Sequence, residues 1–312
     1  MNDAQIKIHN IFINEGFLSL DKYSYKLLQK YRQFSLLQEK TITAYVVWQD
    51  SLFGLYKIID DCLCSVFFPE QQEIYWTIHR PNEDSTCPLQ PIISALVILC
   101  EKAGLTTLHI RFIDQHLLDE YRAVENPILD IKYNIDSSEY IYTRDNLLNL
   151  NGTANYYKRK RIKKYINRQD ISVQLLTKEN VNLCMVVEEE WCKNHDCLYC
   201  SSFYGCEKKA IKTIVDIFNE EIHIGLLMFN MEKPVGYIIC EQLNNKVSFL
   251  YFGKSALDDG FVYLIYIMYR DYLKEVQYMN FNEDMGHQGL RRFKKLLSPY
   301  ELWHKHNVTY SV

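Results

Sequence analysis

The feature that most limits what this chain can fold into is the order of its apolar runs after Ile222. Ile222 to Phe229, Val235 to Leu243 and Lys246 to Phe252 follow one another with only a few residues between them and read as three strands. A helix over Gly260 to Lys274, a short strand over Val276 to Phe281, a basic helix from Gly289 to Leu297 and a last strand near Glu301 to Asn307 complete the series. Helices near Lys178 to Cys192 and Glu207 to Asn219 precede it. The first half alternates in the same way. Its opening helical region runs from Leu20 to Gln38, with strands at Thr43 to Trp48, Gly54 to Ile59 and Cys62 to Phe67, a helix over Pro91 to Ala103 and a strand over Leu108 to Phe112.

Three antiparallel strands followed by helix, strand, helix and strand is the order of a GNAT-type N-acyltransferase fold. The expected fold class is α/β (α+β), a mixed central sheet flanked by helices in GNAT-like order, and the first half can be read as a degenerate copy of the second. No Pro-rich or Gly/Ser-rich linker separates the halves. The turn at Asn149 to Thr153 is the best boundary, giving domains 1–150 and 151–312.

At 312 residues each half can bury its own core, and 48% apolar with 24% charged residues describes a globular chain. A net charge of −4 excludes a nucleic-acid binder that works by overall charge, so any such contact must come from a local patch. The longest mainly apolar run, Ile92 to Cys100, is far short of the ~20 residues that span a bilayer. The first residues lack a basic segment leading into an apolar core, so no secretory signal and a cytoplasmic setting are expected. Cysteines in a reducing setting serve as buried hydrophobes, metal ligands or nucleophiles. Cys192, Cys197, Cys200 and Cys206, with His195 and Asp196 among them, have spacings that fit no standard zinc finger, and no metal is expected there.

Two constellations carry chemistry. Tyr156 to Arg168, YYKRKRIKKYINR, contains no acid and should face an anion: RNA phosphates, anionic lipid head groups, or water alone. Lys158, Arg159, Lys160, Lys163 and Lys164 are its candidate binding residues. Met279 to Lys295, MNFNEDMGHQGLRRFKK, places acids, glycines and bases across a strand, turn and helix. Asn282, Glu283 and Asp284 fall at the strand end, where backbone N–H groups and side chains converge, and Arg291 and Lys294 share a helical face. The reading without function is a capped helix with a solvated basic face.

A third segment, Gly253 to Tyr266, stands where acetyl-CoA enzymes of this fold carry a pyrophosphate loop. Asp258 and Asp259 there would repel a pyrophosphate, which argues against coenzyme A, and no cofactor is expected. Lys254 could bind a phosphate or carboxylate, or cap a strand. With no G-x-S-x-G elbow or Cys-His signature, direct attack by an amine or hydroxyl on an activated ester is the simpler chemistry.

The run from Asn280 to Lys294, N-x-E-D-x-G-x-x-G-L-R-x-x-K with an extra residue at Phe281, resembles the C-terminal signature of bacterial proteins related to the catalytic domain of phosphatidylglycerol lysyltransferases. Ser138 to Lys164 resembles that family's Y-x-Y-x-x-x-x-L-x-x-L-x-G followed by a Lys-Arg-rich helix. Glu207, Ala210 and Ile211 match its E-x-x-A-I helix. The chain departs where a common Asn is Lys160 and a common Ser-Tyr is Leu296 and Leu297. The resemblance implies tandem GNAT-like halves and transfer of an aminoacyl group from aminoacyl-tRNA to an amine or hydroxyl, an anionic phospholipid being one acceptor it allows; the alternative readings are an acyl-CoA-dependent N-acyltransferase and a non-catalytic anion- or lipid-binding module. Asp284 or Glu283 would then accept a proton or anchor an amine. Arg291 and Lys294 would hold the tRNA terminus or an anionic acceptor, and the helix from Lys158 would support RNA.

Overall fold

The computed structural model describes residues 1–32, 35–70, 72–81, 87–194, 207–243 and 246–312, with the backbone alone at 154 and 194. The described residues form two compact units, one of 1–137 with 304–312 and the other of 138–303. This is not a single cut at Asn149 to Thr153. Residues 138–150 belong with the second unit and the last strand returns to the first, because strand pairing and not chain order closes each sheet.

The strands are β1 (Leu18–Ser19), β2 (Leu55–Ile59), β3 (Cys62–Phe67), β4 (Tyr75–His79), β5 (Thr107–Asp114), β6 (Ile128–Tyr133), β7 (Glu139–Thr143), β8 (Ile171–Leu175), β9 (His223–Asn230), β10 (Lys233–Gln242), β11 (Val247–Ser255), β12 (Tyr278–Asn280), β13 (Glu301–Trp303) and β14 (Lys305–Ser311). They make two mixed sheets flanked by helices, ordered β1-β2-β3-β4-β5-β14-β6 and β13-β7-β12-β11-β10-β9-β8. Each contains three antiparallel strands joined by a helical crossover to a parallel fourth, β4 to β5 in one and β11 to β12 in the other. That is the GNAT-like order, present twice.

The expected strand at Thr43 to Trp48 is instead a helical turn, Thr43–Val46, with all four residues buried. A short apolar run cannot be assigned by periodicity alone, and here burial on every side overrides the strand preference of Val and Tyr. The expected last strand divides at His304: β13 pairs with β7 in the second sheet, and β14 lies between β5 and β6 in the first.

In the second unit the helix Gly260–Ile267 is buried on nearly every side and continues as a π-helical turn, Met268–Tyr272. Gly253 and Gly260 are needed for close approach: a side chain at Gly253 would overlap the Phe261 ring, and one at Gly260 would overlap Ser255. β11 and β12 run together from Val247↔Tyr278 to Phe249↔Asn280, after which β12 stops while β11 continues to Ser255. The sheet is therefore open beyond Asn280. In a sheet of this kind, ligands sit at such a strand end.

Candidate functional site

Asn282 follows β12 in the left-handed region, at φ +60°. Its side-chain amide donates to the Leu250 carbonyl at 2.7 Å across the opening between β11 and β12, while its own N–H donates to Asn280 Oδ1 at 2.6 Å. Asn280 in turn donates to the buried Glu139 carboxylate. The Asn282 Oδ1 atom is buried without a hydrogen-bond partner among the described residues. A buried polar atom without a partner is uncommon in a folded protein.

Two residues on, Asp284 is 1% exposed and both its oxygens are engaged. Arg291 forks onto it through Nε at 2.8 Å and Nη2 at 2.7 Å, Tyr140 donates its hydroxyl at 2.5 Å, and the Gly286 N–H donates at 2.9 Å. Burial alone would raise this carboxyl, but the bonds from Arg291, Tyr140 and Gly286 outweigh it and hold Asp284 down at about 2. Burial and the hydrogen bond to Asp284 push the Tyr140 hydroxyl up to about 12. A carboxylate so saturated is a poor proton acceptor near neutral pH. Its geometry is that of a strut.

Lys294, expected beside Arg291 on a ligand-binding face, points inward from the helix Gln288–Leu296 and is 5% exposed. Its ammonium donates to the carbonyls of Phe281, Asn282 and Glu283 at 2.6, 3.0 and 2.5 Å, which occupies its three donors. It pins the turn that carries the acids. Glu283 is half-buried and is the more accessible carboxylate of the adjacent pair. The sequence motifs meet here in space: Tyr140 bonds Asp284, and Tyr142 donates to the Lys294 carbonyl at 2.9 Å. Sequence reasoning did not assign Tyr140, Tyr142, Glu139 or Asn280 a role, although the Y-x-Y match carried the first two.

The basic segment forms the helix Tyr156–Ile166, with Ile162 and Tyr165 buried. Tyr165 stacks on Tyr263 at 5.0 Å and donates to the Asp258 carbonyl at 2.7 Å, and Arg161 pairs with Asp259. The helix is thus docked at the N-terminus of Gly260–Ile267. Its five candidate residues divide. Lys158 donates to the Leu296 carbonyl at 2.5 Å and Arg159 to the carbonyls of Leu150 and Gly152, so both are tied to backbone. Lys160, Lys163 and Lys164 are exposed and make no hydrogen bond or ion pair with a described residue.

Lys254 pairs with Glu207 at 2.7 Å and lies 4.2 Å over the Trp191 ring. Beside it Glu188, 1% exposed and raised by burial, accepts from Tyr237 at 3.2 Å. Among the described residues no group of three or more His, Cys, Asp or Glu could hold a metal, and no helix is long and apolar enough to cross a membrane. His195, Asp196, Cys197, Cys200 and Cys206 lie outside the described residues.

The open strand end, held from below by Asp284 and Lys294, defines the class: a tandem GNAT-like protein with its candidate centre in the second unit. The chain belongs to the family of phosphatidylglycerol lysyltransferase C-terminal domains, whose model matches residues 38–305. Among solved structures it is similar to a conserved protein of unknown function from Bacteroides thetaiotaomicron, at 18% identity and a TM-score of 0.83, covering 95% of this chain and 99% of that one. It is also similar to L-PGS from Bacillus licheniformis (13% identity, TM-score 0.54, 80% of this chain and 81% of that one). FemX is a third, at 11% identity and a TM-score of 0.59, covering 93% and 96%. No curated protein matches the sequence.

Proposed function

We propose that this protein is an aminoacyltransferase that moves an aminoacyl group from aminoacyl-tRNA to an amine or hydroxyl acceptor, with anionic phospholipid in the acceptor class. One observation carries the choice of donor. The helix N-terminus that would cradle a coenzyme A pyrophosphate is preceded by Asp258 and Asp259, with Arg161 on Asp259, and the docked basic helix turns Lys160, Lys163 and Lys164 to solvent. Acids at that position oppose a pyrophosphate, whereas unpaired lysines beside it suit a phosphate backbone. Family membership supports the same reading.

In this reading the ester of the charged tRNA lies at the opening beyond Asn280. The acceptor amine or hydroxyl attacks the ester carbonyl and gives its proton to the Glu283 carboxylate, the new amide or ester bond forms as the ester C–O bond breaks, and Glu283 returns the proton to the departing ribose oxygen, which leaves as a hydroxyl. Asn282 faces the opening and orients the ester. Asp284, Arg291 and Lys294 are positioning residues: they fix the turn on which Asn282 and Glu283 stand.

Glu283→Gln keeps size and hydrogen bonding but removes the basic lone pair. Single-turnover transfer from a charged tRNA pool should fall by roughly 10²–10⁴ with Tm unchanged. Transfer at the parental rate would remove Glu283 from the chemistry.

A further inference from the structure

Among the described residues the two sheets end on four strands, β1 and β6 in one and β13 and β8 in the other. An end strand presents a row of backbone N–H and C=O groups that a further strand can meet. Three of the four are poorly suited to that. β1 is two residues long and β13 three, while β8, ISVQL, carries no charge that could fix a register. β6 differs. It is six residues long, contains neither proline nor glycine, and pairs among the described residues with β14 alone.

From Asp130↔Thr309 to Tyr133↔His306 the pairing of β6 with β14 is regular, and its one irregular step falls at Leu129. The outer strand is open to water. Leu129 is 58% exposed and Tyr133 51%, Asp130 and Lys132 are exposed too, and only Ile128 and Ile131 pack against the core. Asp130 and Lys132 share the face opposite Ile131 and pair with each other at 3.1 Å.

The order of residues along this edge is self-complementary. When two copies of Leu129 to Tyr133 lie antiparallel about a two-fold axis through Ile131, Asp130 of each faces Lys132 of the other, and Leu129 of each faces Tyr133 of the other. Ile131 then meets its own copy. Lysine on an edge strand ordinarily blocks pairing, but here the aspartate two residues before it neutralises the lysine of the opposing copy. Charge and apolar order therefore select the same occupant, a second copy of this chain.

We infer that the first unit joins a second copy edge to edge through β6, so that two seven-stranded sheets become one continuous sheet across a two-fold axis. This pairing does not depend on the transfer reading, and it is measured by mass alone.

The test is sedimentation equilibrium of the full chain from about 1 to about 100 µM, a range suited to a small interface. The mass should rise from that of one chain towards that of two. Asp130→Lys and Lys132→Asp each place two like-charge pairs across the axis, and each should weaken the dimer roughly tenfold or more. An equal mixture of the two variants should associate as the parent does, because every lysine again meets an aspartate. The double variant carrying both changes should recover the parent's dimer for the same reason. A parent that stays monomeric throughout, its edge left to water or to a segment of another protein, would overturn the inference. So would a dimer indifferent to the single reversals, which would be built on another face, or a mixture and double variant that both stay monomeric. Should one single variant fail to fold, the other single variant set against the double variant decides.

Discussion

Arg291→Ala is expected to lower the unfolding free energy by about 3 kcal/mol, because it strands the Asp284 carboxylate in a site where only the guanidinium balances its charge. Asp284 is 2% exposed at its side chain and Arg291 23%, so solvent reaches the pair from one side and the loss falls at the lower end for a buried pair. Arg291→Lys should recover less than half, since one ammonium cannot reproduce two parallel bonds to a carboxylate. The pH dependence has a fixed sign. Asp284 is held at about 2 in the folded protein, below its ordinary value near ~3.9 unfolded, so its contribution is complete above about pH 4 and is lost as pH falls through 2. The stability gap between the parent and Asp284→Asn should therefore shrink by about 2 to 3 kcal/mol between pH 5 and pH 2. Denaturant titrations across that range check both statements. A pH-independent gap would mean that the ion pair does not hold the turn.

Charge reversal at Lys160, Lys163 and Lys164 has the largest expected effect on binding. Every lysine that neutralises a phosphate adds about 0.7 to 0.9 to the slope of log affinity against log salt, so the triple variant should flatten the slope by about 2 to 3 and weaken tRNA at least a hundredfold near physiological salt. The fold supplies the control. Lys158 and Arg159 hold backbone carbonyls at Leu296, Leu150 and Gly152, so their alanine variants should lose stability first and change the salt slope little. Filter binding with tRNA and co-sedimentation with anionic vesicles distinguish the partners. If neither responds to the triple reversal, the three lysines form only a solvated face.

How much of this was legible in the sequence depends on how local the cause is. The basic helix at 156–166 and the strands at 223–255 are written in periodicity, charge and turn residues, and they form where expected. The division of the C-terminal segment at His304 was not legible, because β13 and β14 differ in the distant strands they meet, β7 for one and β5 with β6 for the other. The same limit applies at the site. Spacing placed Arg291 and Lys294 on one helical face, but not whether that face meets water or protein. Only the fold brings Arg291 onto Asp284 and sets Lys294 beneath three carbonyls.

One further regularity escaped sequence reasoning because its two copies share almost no letters. Phe112 after β5's parallel run and Asn282 after β12 both adopt positive φ, +59° and +60°. Two residues on, Asp114 and Asp284 each accept the N–H of the second residue beyond, His116 at 3.0 Å and Gly286 at 2.9 Å. The same strand-end turn is built twice. In one unit its aspartate holds Arg291 and Tyr140, and in the other it holds Ser35. The backbone repeats while the side chains that would do chemistry have diverged.

The identity of the donor is decided by offering the protein both kinds. A charged tRNA pool and a panel of short acyl-CoA thioesters would be supplied in separate single-turnover reactions with anionic phospholipid and small amines as acceptors, products being read by mass spectrometry. Aminoacyl transfer from tRNA is expected, failing in the Lys160, Lys163 and Lys164 reversal, with no transfer from coenzyme A and no measurable binding of it. Acyl transfer from coenzyme A, undisturbed by that reversal, would contradict it.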